Sequence, residues 1–126
     1  MLDAVTLRQL SNERLEDART LYNNKRYDGA AYICGYAIEL GLKARICDML
    51  DVAEYPQHLP GYKIHDLNTL LLLSGRARSI KTNHAITWNL ATAKWGPELR
   101  YQAVNTITAA DAQIMIQETS NLLPLL

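Results

Sequence analysis

Apolar residues recur along this chain at the three-to-four-residue spacing of helices, and no stretch alternates as a half-buried strand does. The pattern is densest in the run RYDGAAYICGYAIELGLKARICDMLD, residues 26–51, which predicts one long central helix. At about 100° per residue, Ala31, Cys34, Ile38, Leu42 and Met49 fall on one face, and Ile33, Ala37, Leu40, Ala44 and Cys47 on the opposite one. Both faces need covering. Between them runs a polar line of Tyr32, Tyr36, Glu39 and Lys43, where hydroxyls, a carboxylate and an ammonium would meet inside a bundle. Gly35 and Gly41 each cost about 1 kcal/mol relative to alanine in a helix, a cost that close approach of a neighbouring element would offset.

Ahead of this run, Leu7, Leu10, Leu15, Ala18, Leu21 and Tyr22 mark a first helix over residues 7–22, with Arg8, Asn12, Glu16 and Arg19 facing water. Arg14 falls in the middle of the apolar face, where an unpaired guanidinium is costly, so it needs an acidic partner, and Glu39 is the first choice. Asn23, Asn24 and Lys25 make a short turn that forces the first two helices antiparallel, with Asp28 before Gly29 as the cap of the second.

The segment DVAEYPQHLPGYK, residues 51–63, carries Pro56, Pro60 and Gly61 and reads as a loop over one end of the bundle. A third helix starts behind Asp66 as cap, buries Leu67, Leu70 and Leu71, and ends at Ser74-Gly75. His65, beside that cap, reads first as a residue bonding locally. Arg76, Arg78 and Lys81 form a basic loop, whose functional alternative is phosphate contact. Trp88 and Trp95, seven apart, share a face of a fourth helix as core or dimer contact, and Gly96-Pro97 stops it. Thr108 and Asp111 have capping-box spacing before a fifth helix with the stripe Ala112, Met115, Ile116, Thr119, Leu122 and Leu123. The expectation is an all-α, up-and-down bundle of four to five helices forming a single domain over residues 1–126.

Composition narrows the function. Thirteen Lys and Arg balance thirteen Asp and Glu, which argues against holding nucleic acid by bulk charge and leaves only local basic patches. Cys34 and Cys47 lie about 20 Å apart along one helix, too far for a disulfide. Reduced thiols, no signal pattern at the start and no apolar run of about 18 residues predict a cytoplasmic protein without a membrane span. His58 and His65 with no cysteine nearby make no metal signature, and there is no glycine-rich phosphate loop, HExxH, CxxC pair or Gly-x-Ser-x-Gly. Neither a metal nor a cofactor is expected.

The blocks KRYDGAAYICGYAIELGLKA, a Pro-containing loop, KIHDLNTLL, WGPELRY and a closing amphipathic helix, in this order, resemble the HEPN domain (higher eukaryotes and prokaryotes nucleotide-binding) over residues 7–122. The resemblance implies a helical bundle, commonly a homodimer, often paired with a small nucleotidyltransferase in toxin–antitoxin or defence modules. Many members are metal-independent ribonucleases. These carry an arginine followed after four to six residues by a histidine that works on the ribose 2′-hydroxyl while the arginine stabilises phosphate charge. The corresponding arginine here is Arg100 of ELRYQAVNTIT, and Asn105, Thr106 and Ile107 stand where the histidine would be.

Three readings follow. The first is a non-catalytic module that binds a nucleotide or RNA phosphate through Arg100 and Tyr101, helped by Lys43 and His65, as a homodimer beside a nucleotidyltransferase partner. The second is a ribonuclease using Arg78 and His84, which satisfy the spacing upstream of the usual place. In the third the chain is a purely structural dimeric interaction protein, and the polar set Arg14, Glu39, Tyr32 and Tyr36 only specifies helix register.

Overall fold

The structure, a computed structural model, describes residues 2–96, 99 and 101–126. The described residues form six α-helices and no strand: α1 (Ala4–Asn23), α2 (Tyr27–Leu50), α3 (Leu67–Leu73), α4 (Ala77–Asn83), α5 (Ala85–Thr92) and α6 (Ala109–Leu122). The chain is all-α, as its periodicity predicts. Short 3-10 turns cover Pro60–Tyr62 and Leu123–Leu125.

Helix α1 opens on Asp3, whose carboxylate accepts from the Thr6 amide at 2.7 Å. It leads through Asn24, Lys25 and Arg26 into α2, with Lys25 in the left-handed region at φ 61°. Leu21 lies against Gly29, Ser11 Oγ donates to the Ala37 carbonyl at 2.6 Å, and Arg8 pairs with Asp48 at 2.6 Å. Numbers fall on one helix as they rise on the other, so the pair is antiparallel.

Helix α2 is buried almost all round, from Ala30 to Cys47, because α1 and α6 cover its sides and α3 and α5 lie against it. Two apolar clusters result. One gathers Leu7, Ile38, Leu42, Ile46, Leu70, Ile80 and Trp88; the other gathers Leu15, Ala31, Cys34, Leu99, Ile107, Met115 and Ile116. Gly41 lets Ser11, Leu123 and Leu126 close to within 3.3–3.4 Å of where a Cβ would stand. Gly35 admits the Trp95 indole, whose Nε1 donates to the Tyr32 carbonyl at 3.1 Å.

Four expectations are corrected. Arg14 does not reach Glu39: its Nε lies 2.9 Å from Asp17 Oδ2, one turn along its own helix. The register explains this, since Ser11 meets Ala37 and Arg14 therefore sits beside the turn before it. Asp28 caps nothing; it lies inside the first turn of α2 and accepts from the Asn105 and Ile107 amides at 2.6 and 2.8 Å, tying the segment before α6 to the start of α2. Arg78 and Lys81 stand on a helix, α4, rather than in a loop. Trp95 lies beyond the end of α5, not on one helix face with the buried Trp88. The capping box of α6 is as expected, with Asp111 N donating to Thr108 Oγ1 at 3.0 Å.

Candidate functional site

Burial divides the polar line of α2. Tyr36 is exposed and Tyr32 half-buried, whereas the side chains of Glu39 and Lys43 are only 4% and 12% exposed. Four residues apart on a helix, these two face the same way, and Lys43 Nζ donates to Glu39 Oε2 at 3.1 Å. His65 completes the group from the segment before α3, with Nδ1 at 3.2 and 3.3 Å from the two Glu39 oxygens. A carboxylate only accepts, so Nδ1 carries the proton and Nε2 is left outside this bond. His65 is 69% exposed, which brings the buried carboxylate into contact with the surface. Neither tyrosine hydroxyl of the line is among Glu39's partners.

Local capping sets His65 in place. Asp66 caps α3 by accepting from the Thr69 amide at 3.0 Å and its hydroxyl at 2.6 Å, which fixes the residue just before it. The loop supplies the rest. Tyr55 is buried, with its ring 5.2 Å from the Lys43 ammonium. Its amide donates to the Leu2 carbonyl at 2.8 Å and its hydroxyl to the Tyr62 carbonyl at 2.7 Å. Burial above all, with the charge of Glu39 added, pushes the Tyr55 phenol up to about 12, so it remains a neutral donor.

Above this group opens a cleft of about 400 Å³ lined by Lys43, Gln57, His58, Tyr62, Lys63 and His65. Two lysines and two histidines line it, and the Glu39 carboxylate is engaged by two of them, Lys43 and His65. Such a surface suits an anion, since charge-assisted bonds to phosphate or carboxylate are the strong ones. Among the described residues no cluster of His, Cys, Asp or Glu could hold a metal ion, and no helix is long and apolar enough to cross a membrane.

The structure thus brings Lys43 and His65 together, and with them Glu39. Tyr101 is 81% exposed and does not line the cleft, while Leu99, two residues before it, packs with Cys34, roughly 14 Å along α2 from Lys43. Arg100 lies outside the described residues. Arg78 is exposed on α4 and His84 is the joint between α4 and α5; neither lines the cleft. Sequence reasoning passed over Tyr55, Tyr62 and Lys63. The available signal was two tyrosines seven apart around Pro56 and Pro60, since prolines stiffen a loop enough to hold aromatic rings in place.

Residues 4–125 match the family model described as HEPN domain. No curated protein and no solved structure matches the chain.

Proposed function

Because the chain belongs to the HEPN domain family, we propose that it is a non-catalytic module binding the phosphate of a nucleotide or RNA in the cleft over α2. The observation carrying this reading is the buried Glu39, which holds Lys43 and His65 at the cleft while Lys63 and His58 add basic groups around it. A buried carboxylate costs desolvation, which its bonds to Lys43 and His65 offset, so both side chains are held in position at the cleft. In this reading the 126-residue chain is one HEPN domain, works as a homodimer, and has a nucleotidyltransferase partner of the toxin–antitoxin or defence kind. No cofactor or metal enters.

Thermal unfolding with AMP, GTP and a short single-stranded RNA tests it. A ligand at 100 times its Kd adds about 2.7 kcal/mol, a rise of several degrees for a domain of this size. The rise should vanish in Lys43→Met. No shift with any of the three overturns the reading, and RNA cleavage lost in Arg78→Ala or His84→Ala would replace it with the ribonuclease alternative.

A further inference from the structure

Resting on the phosphate-binding reading above and sharpening it, we infer that the ligand is a single nucleotide unit whose base stacks on Tyr62, with its phosphate held by Lys43 and Lys63. Tyr62 is the specificity-determining residue of this arrangement.

Three observations converge. First, Tyr62 is held in place before any ligand arrives. Its carbonyl accepts from the buried Tyr55 hydroxyl, and its ring meets the Tyr55 ring edge to face, with centroids 6.1 Å apart and planes at 88°. The short 3-10 turn Pro60–Tyr62, with proline at its start, limits the backbone as well. Second, Tyr62 packs against the core yet is only half-buried and lines the cleft, so part of this aromatic residue remains accessible to a ligand there. A fixed aromatic face stacks on a base without first losing rotamer freedom. Third, Lys43 and Lys63 line the same cleft, and Gln57 adds an amide that can both donate and accept. A half-buried tyrosine, two lysines and an amide around about 400 Å³ match one phosphorylated heterocycle. A duplex presents its bases stacked inward and would leave the Tyr62 face unused.

The test compares AMP, ribose 5-phosphate and a blunt RNA duplex by calorimetry on the wild-type chain, Tyr62→Leu, Tyr62→Phe and Lys43→Met. AMP should bind at least tenfold more tightly than ribose 5-phosphate, and the duplex more weakly than either. Tyr62→Leu should weaken AMP by roughly tenfold to a hundredfold, the range of base–aromatic stacking, and leave ribose 5-phosphate unchanged; Tyr62→Phe should restore AMP. On the wild-type protein, the adenine H2 and H8 resonances should move upfield on binding, a ring-current signature that needs no variant to fold. If ribose 5-phosphate binds as tightly as AMP, if the duplex binds more tightly than AMP, or if the adenine protons do not move upfield, the inference is overturned while the phosphate-binding reading stands. If no ligand binds, both fall. If AMP binds and stacks but Lys43→Met leaves its affinity unchanged, the phosphate lies elsewhere and this assignment of the cleft is wrong.

Discussion

Replacing Lys43 by methionine keeps most of the apolar stem but removes the ammonium that Glu39 holds at 3.1 Å. The carboxylate is then left buried, with His65 as its one remaining partner in the group. Removing one member of a buried pair costs about 3–5 kcal/mol. The mostly exposed imidazole offsets part of this, so a loss of about 3 kcal/mol is expected. Glu39→Leu should cost less, about 2 kcal/mol, because the freed lysine can extend its ammonium through the cleft to water. The double variant replaces the pair by apolar groups and should be no worse than Lys43→Met alone, giving a coupling of about 2 kcal/mol. His65→Ala, which removes an exposed partner, should cost under about 1 kcal/mol. Urea unfolding with an unchanged m-value measures all four. Additive single effects, or either of the Glu39 and Lys43 variants below about 1 kcal/mol, would refute the buried-pair account.

Other consequences follow from contacts elsewhere. Gly35→Ala puts a Cβ into the Trp95 indole, and displacing the ring loses its bond to the Tyr32 carbonyl; about 3 kcal/mol of stability and a shift in tryptophan emission are expected, whereas Gly41→Ala, whose Cβ would meet two leucine tips and the bonded Ser11 Oγ at 3.3–3.4 Å, should cost less, about 1 kcal/mol. Asp28→Ala removes the acceptor of the Asn105 and Ile107 amides; hydrogen exchange should quicken at both while the Asp111 amide, held by Thr108, keeps its protection. Burial pushes the Cys34 thiol from 9.0 up to about 11, so the folded state disfavours the thiolate. Its contribution is complete below pH 9 and is lost as pH rises from 9 towards 11, by about 3 kcal/mol at most, with Tyr55 acting in the same direction at higher pH. Stability measured by urea unfolding should therefore fall across this range, and a Cys34→Ala variant should show a shallower fall.

What could be read from the chain divides by whether partners share an element. Glu39 and Lys43 are four apart on one helix, so their pairing was legible, and the apolar cover on both sides of that helix implied its burial. Arg14 marks the limit. Its angular position on α1 was plain, but its height along α2 depended on how the two helices slide past each other, and that is set by contacts such as Ser11 with Ala37 rather than by any periodicity. Helix α4 escaped notice because only Ile80 is buried on it, so a seven-residue helix gives no repeat to detect. Trp95 was misplaced because its destination, the gap at Gly35, lies sixty residues away in the chain. Asp28 likewise bonds to amides near residue 105, and no spacing rule announces that. The cleft has the same character. Half of it, the Glu39–Lys43 pair, is written in helical spacing. The other half of the cleft lining, His65, Tyr62 and Lys63, comes from a proline-bearing loop folding back onto α2. If the proposed cleft binds a nucleotide, sequence changes in residues 55–65 should therefore alter its ligand preference, while changes at Glu39 and Lys43 should first alter whether the protein folds.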